Sequence, residues 1–497
     1  MRTQLGKLIA FLTGTVALLV FLYIGIYADT TIAQTSFLSN LPAGYQTYPG
    51  RFIMGKSCSC SSVGISGAPP GPPPCETSFC FGSSYTRYGW VTTNTEGIRA
   101  TYCDQARQEG RPIPPCFLLD GDDAVVISGS MSPVQDLTYY SFTLYQGFTY
   151  DPNYQSNYAA IQASVNLPLN QINFKKGSNG QYALIITANT RTLSIVKRAL
   201  RLSGVPDAII NTYLVPASIT TASTLTYPDA LAFSLRLTSQ SETEKQKLNT
   251  FVQQTIPDTK VIFIKGPGIG GDVTFDDLPK WEETLKANYV EYTTGLDQNL
   301  KSLETAVTRN YIQKGYTLKA RIPEKLLHVD AEACRINHSG CVFDSPDAIY
   351  SSFPCDFAPT KRNGNCGIDL KENNKDVLML LGVDHTLVGN KTLAAYFSGE
   401  SQKTPGTQDG MFSYIGLYTQ GSANQYLPRR KASNLYALKI ARDCGSELYC
   451  AAIPYLGDTR NKTGFYIVGR NYLDKATGSG PNPANLVPSV LLWFTKN

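Results

Sequence analysis

Residues 8–28, LIAFLTGTVALLVFLYIGIYA, run for twenty-one positions without a charge. At 1.5 Å per residue a helix of that length covers about 31 Å, enough to cross the hydrocarbon core of a bilayer. The apolar region of a cleaved signal peptide is shorter, about 7–15 residues. The segment therefore reads as a signal-anchor transmembrane helix, with cleavage after Ala28 or Ala33 as the alternative. Arg2 and Lys7 precede it, and Asp29 is the sole charge in the next twenty residues. Positive flanks stay in the cytosol, which places residues 29–497 outside it. The expected localisation is a single-pass membrane protein with a C-terminal ectodomain, or a secreted chain if the segment is cleaved.

Such an address is oxidising, and the cysteines suit it. The twelve are Cys58, Cys60, Cys75, Cys80, Cys103, Cys116, Cys334, Cys341, Cys355, Cys366, Cys444 and Cys450, and none lies in the apolar run. An even set in an exported chain predicts a disulfide framework. Cys334–Cys341, Cys355–Cys366 and Cys444–Cys450 are the natural local pairs, whereas the first six cysteines leave their connectivity open. The spacings lack the two CxxC-type pairs that a structural zinc site uses. Sequons at Asn337, Asn390 and Asn461 mark candidate glycosylation sites.

The remaining 469 residues after position 28 exceed one ordinary core, and apolar residues at 42% can supply more than one. Composition and pattern divide the chain into a cytoplasmic tip and anchor (1–28), a stalk (29–55), a Cys/Pro-rich stapled region (56–120), an α/β domain (121–270), a helical connection (271–315) and a β-rich domain (316–497). In the α/β part, YALIITA (182–188) is a strand, Leu193, Val196 and Leu200 follow helical spacing, and Gly204 and Pro206 end the helix. LAFSLRLTS (231–239), a capping box at 241–244 and KVIFIKG (260–266) repeat the order strand, helix, strand. Two such units predict an α+β fold with a ferredoxin-like sheet and its helices on one face. Apolar runs separated by turn residues predict a mostly antiparallel C-terminal β domain.

Five places carry candidate chemistry. Asp384 and His385 end an apolar run and could act as a general acid/base, although neighbours on an extended strand face opposite ways. His328 and Asp330 share a face if their segment is a strand. Asp120, Asp122 and Asp123 crowd three carboxylates into one turn, a partial calcium site, which is the one cofactor expectation. Lys265 and the glycine-rich residues 266–271 have the look of a phosphate cradle, but Pro267 intrudes and no helix follows directly. Arg429, Arg430 and Lys431 form a short basic patch. Neither G-x-S-x-G nor H-E-x-x-H occurs.

A net charge of +5 with no long basic block argues against nucleic-acid partners. Thirty tyrosines suit a protein or carbohydrate partner, because the ring stacks and the hydroxyl hydrogen-bonds. The sequence thus predicts a membrane-anchored, disulfide-bonded glycoprotein that binds or builds a surface. An exported hydrolase using a His/carboxylate pair and a calcium-dependent adhesion module are the alternatives.

Overall fold

The computed structural model describes residues 34–54, 86–93, 115–150, 158–220, 229–239, 241–279, 290–327, 329–338, 341, 344–353, 375–385, 387–388, 395–402, 408–415, 419–452, 466–472 and 482–496. The expected transmembrane segment, 8–28, lies outside them. Among the described residues no helix is long and apolar enough to cross a membrane.

The first half is built on ten strands: β1 (Gln46–Met54), β2 (Thr86–Thr93), β3 (Ala124–Ser130), β4 (Tyr139–Tyr150), β5 (Tyr158–Ser164), β6 (Leu169–Asn170), β7 (Gln181–Thr187), β8 (Ile210–Leu214), β9 (Ala230–Thr238) and β10 (Lys260–Lys265). They form one sheet in the order β5-β4-β9-β2-β1-β10-β3-β7-β8, with β6 pairing β4. Among the described residues three α-helices accompany them: α1 (Gln34–Ser39), α2 (Thr190–Leu202) and α3 (Glu242–Thr250).

This overturns the ferredoxin-like repeat. The first strand-helix-strand unit exists, because β7 and β8 pair in parallel with α2 between them in sequence. Asn189 starts α2 by accepting the Thr192 N–H, as the capping rule requires. The second unit does not close on itself: β9 lies between β4 and β2, while β10 lies between β1 and β3. The strands that part them come from residues 46–54 and 86–93, stretches whose composition hides their pairing. The helices also take opposite faces. Val196, Ala199 and Leu200 of α2 pack with Val126, Ile185 and Ile262. Leu248 of α3 joins Phe142, Phe233 and Phe263 on the other side.

That second face is concave. Neighbouring strands are about 4.8 Å apart, so six steps across a flat sheet span about 29 Å. Yet Phe142 of β4 stands 5.5 Å from Tyr182 of β7, ring centre to ring centre, and Phe233 of β9 stands 6.0 Å from Tyr213 of β8. Both pairs are six strands apart in the sheet order. The sheet must curl until its edges nearly meet. Asn166 bridges them, donating to the Leu214 carbonyl at 3.4 Å and accepting from the Tyr213 hydroxyl at 2.9 Å.

The second half comprises α4 (Leu296–Gln313), β11 (Thr317–Pro323), β12 (Lys325–Leu327), α5 (Ala331–Ile336), β13 (Ala348–Phe353), β14 (Asp376–Val383), β15 (Ala395–Gln402), β16 (Gln408–Ile415), α6 (Arg429–Ala432), β17 (Leu435–Ala441), β18 (Cys450–Ala452), β19 (Tyr466–Tyr472) and β20 (Val490–Thr495). Two five-stranded sheets result, β11-β20-β14-β17-β18 and β12-β13-β19-β15-β16. Alternation of side chains sorts the core into two layers. Val377, Met379 and Leu381 of β14 meet Leu300, Leu303 and Val307 of α4. Leu378 and Leu380 face the other way, toward Phe353 and Ile467 of the second sheet. In the helical connection expected over 271–315, α4 begins after Gly295, which adopts a left-handed φ of 74°.

If the curl rests on aromatic packing, Phe142 is its keystone, because Phe174 and Phe233 also lie within 4.8 and 5.9 Å of its ring centre. Phe142→Ala is expected to destabilise the first half by about 3–5 kcal/mol. Denaturant unfolding followed by near-ultraviolet circular dichroism checks this; a loss under about 1 kcal/mol contradicts it.

Candidate functional site

β14 ends at Val383, and the Asp384 N–H then donates to the Asn434 carbonyl at 2.9 Å. A turn closes when Leu387 N–H donates to the Asp384 carbonyl, and His385 points inward. His385 Nδ1 lies 2.7 Å from Glu291 Oε1, and the two residues are only 4% and 1% exposed. Glu291 opens the 3-10 turn before α4. Its other oxygen accepts the Val487 N–H at 2.7 Å. The carboxylate bonded to His385 is thus Glu291, ninety-four positions away, rather than the adjacent Asp384.

Further polar groups crowd the same interior. Glu324 and Ser489 exchange backbone contacts: Ser489 N–H donates to Glu324 Oε2 at 2.6 Å, and Glu324 N–H donates to the Ser489 carbonyl at 2.9 Å. The Ser489 and Tyr436 hydroxyls lie 2.9 Å apart. Gly382 makes room for them, because a Cβ there would stand 2.3 Å from the Tyr436 hydroxyl. Burial alone would lower the His385 pKa, but the charge and hydrogen bond of Glu291, helped by Glu324 and Asp384, raise it above its ordinary 6.5. Burial, with Glu324 nearby, pushes Tyr436 well above its ordinary value. The arrangement can hold a proton on His385 and orient the ring; it is enclosed by packed side chains.

The other expected residues are placed as follows. His328 lies outside the described residues. Asp330 caps α5, its Oδ1 accepting the Glu332 and Ala333 N–H groups at 3.0 Å. In the acidic turn, Asp122 Oδ2 accepts the Gly268 and Ile269 N–H groups at 2.7 and 2.8 Å. Asp123 accepts from Gly266 and Asp120 N–H groups, and Lys265 Nζ sits 2.7 Å from Asp120. The carboxylates and the glycine-rich segment that sequence treats as two separate candidates are therefore one structure. Burial raises Asp123 despite those hydrogen bonds and the Lys265 charge. A Cβ on Gly266 would meet the Asp122 carbonyl at 2.3 Å, so the close approach needs glycine. The segment continues to α2, where Asp272 accepts the Thr190 N–H at 2.7 Å. Among the described residues no group of three or more His, Cys, Asp or Glu is arranged to hold a metal. Arg429, Arg430 and Lys431 form α6 and are exposed.

Disulfides join Cys334 to Cys341 and Cys444 to Cys450, and Cys116 is also disulfide-bonded. The expected Cys355–Cys366 pair and Cys58, Cys60, Cys75, Cys80 and Cys103 lie outside the described residues. Asn337 is exposed at the end of α5, while Asn390 and Asn461 lie outside the described residues.

No family model matches the chain, and no curated protein matches it. Two solved structures align with much of its length. One is an uncharacterized protein from Burkholderia cenocepacia, with a TM-score of 0.35 and 10% identity over 94% of this chain and 85% of that one. The other is the VPA0106 protein from Vibrio parahaemolyticus, with a TM-score of 0.33 and 10% identity over 76% of this chain and 87% of that one. Likenesses this distant carry no functional argument.

Glu291 left no local signal: it lies in a run that reads as helix, with nothing to mark an inward carboxylate. Its removal is testable. Glu291→Gln is expected to cost about 3–5 kcal/mol near pH 6, where it leaves His385 charged and buried without its anion. A raised folded pKa gives stability that is complete below the unfolded value and lost as pH rises through the folded one. The difference in melting temperature between wild type and variant should therefore shrink toward about pH 9; an equal or larger gap there contradicts the charged pair.

Proposed function

We propose that the chain is a binding or structural protein of an extracytoplasmic surface, held in the membrane through residues 8–28 and exposing residues 29–497 outside the cytosol. The observation that carries this reading is the pair of disulfides at Cys334–Cys341 and Cys444–Cys450. Such bonds persist where thiols are not kept reduced. The Cys334–Cys341 loop packs on Ile161 and Ala163 of β5, so it staples a tertiary joint. Asn337 sits within that loop with its side chain exposed, which supports glycan attachment there.

Binding is favoured over catalysis by what the titratable groups do. An acid or base must reach its substrate. His385 is enclosed and spends Nδ1 on Glu291, whose second oxygen holds a backbone amide. The acidic turn likewise holds its own glycine-rich partner segment.

Topology tests the proposal directly. In sealed microsomes residues 29–497 should resist added protease until detergent is present, and Asn337→Gln should remove one glycan's mobility shift. Cleavage of that region in intact vesicles overturns the assignment. Non-reducing mass spectrometry should recover both local disulfide peptides.

A further inference from the structure

The two halves meet where α5, Cys341 and residues 344–347 cover the free edge of β5. An uncovered edge strand presents unpaired backbone groups, and here the Ile161 carbonyl and both backbone groups of Ser164 find partners. Cys341 N–H donates to the Ile161 carbonyl at 2.7 Å, and Arg335 Nη1 donates to the Ser164 carbonyl at 2.6 Å. Ser164 N–H donates to Asp344 Oδ1 at 2.6 Å, and the Ser164 hydroxyl lies 2.5 Å from Asp344 Oδ2. Asp347 accepts from the Tyr139 hydroxyl at 2.8 Å and from Asn170 at 2.9 Å. Arg236 of β9, itself buried, reaches the Ser345 hydroxyl. Asp344, Ser345 and Asp347 are all 1% exposed or less.

We propose that Asp344-Ser345-Pro346-Asp347 is a proton-gated clasp: the halves dock tightly with the Asp344 carboxyl protonated, and its ionisation loosens the joint. The proposal is independent of the surface-binding assignment.

The geometry accepts either protonation state at Asp344. Ser164 N–H donates to Oδ1 in both, while the Ser164 hydroxyl donates to a carboxylate or accepts from a carboxylic acid at Oδ2. What changes is the cost of burying charge. Burial raises Asp344 to about 6 from its ordinary 3.8, against the Ser164 hydrogen bonds and the charges of Arg335 and Arg236. Burial raises Asp347 as well, opposed by Asn170, Tyr139, Arg236 and Ser345. The remaining titratable neighbours are Tyr139 and Tyr145 of β4, Tyr213 of β8, Tyr350 of β13 and Tyr88 of β2, with Asp330 and Glu332 facing Arg335. Tyr139, Tyr145 and Tyr213 are raised by burial and stay neutral through this range.

The sign follows. An undocked Asp344 releases its proton near its ordinary value and a docked one only near 6, so docking weakens as pH rises between them and is level above. The shift of about two units corresponds to about a hundredfold in the docking constant.

Hydrogen exchange on the full chain, corrected for intrinsic rates, tests this at about pH 4.5 and about pH 7. Peptides covering β5 and residues 344–353 should lose ten- to a hundredfold of their protection at the higher pH, while β14 and β20 keep theirs. Asp344→Asn imitates the protonated acid and should hold the low-pH protection at both. Equal wild-type protection at the two pH values overturns the clasp. So does loss in β14 and β20 together with β5, which is global unfolding, or an Asp344→Asn profile that follows wild type. The wild-type profile decides the matter even if the variant does not fold.

Discussion

The curl of the first sheet, driven by Phe142, Tyr182, Tyr213 and Phe233 meeting across its concave face, is the constraint on which the rest of the molecule depends. Burying these rings removes a large apolar area from water, worth roughly 2–3 kcal/mol for each. It also brings β5 and β8 close enough for Asn166 to link them, yet leaves the outer backbone edge of β5 without a ladder partner. That edge is where the second half docks. The aromatic core of one half therefore determines where the other can attach.

One device recurs at several places where irregular backbone enters the interior. A carboxylate accepts main-chain N–H groups that no strand or helix can satisfy: Glu291 takes Val487, Glu324 takes Ser489, Asp344 takes Ser164, and Asp122 takes Gly268 and Ile269. A buried amide left without a partner costs about 1–3 kcal/mol, and charge-assisted bonds are roughly twice as strong as neutral ones. The acids are costly to bury, and each offsets part of that cost by satisfying one or two amides. This is why carboxylates that look catalytic or metal-binding in sequence are found holding loops.

What was legible in the sequence was local. The β7-α2-β8 unit declared itself through one apolar strand, one capped amphipathic helix and a Gly/Pro stop, all within about thirty residues. Cys334–Cys341 and Cys444–Cys450 were legible because the partners are only seven and six positions apart. Strand order was not. Residues 46–54 include Pro49 and Gly50 and read as stalk, yet β1 pairs both β2 and β10 near the middle of the sheet. Gly50 is small for a tertiary reason, since a Cβ would stand 2.7 Å from Val261, which no linear pattern reveals. At Asp384-His385 the carboxylate hydrogen-bonded to His385 is not its sequence neighbour. Adjacent side chains at a strand end diverge, and the fold supplied Glu291 from ninety-four positions away.

Among the described residues the buried acids whose shifts stand out share one direction with pH. Asp123, Asp229, Asp344 and Asp347 are all raised, each chiefly by burial, and His385 is raised by its carboxylates. Against them stands Asp277, lowered by Thr274 at the surface. A group raised on folding binds its proton more tightly in the native chain, so folding takes up protons between the acidic range and neutrality. Stability from these groups is then greatest on the acid side and declines as pH rises. Ordinary acid denaturation runs the other way, because most native carboxylates are lowered by partners at the surface. Asp123 and Asp344 accept backbone amides inside the molecule, and burial outweighs those hydrogen bonds in raising both. The tolerance for protons is a consequence of how the loops are held.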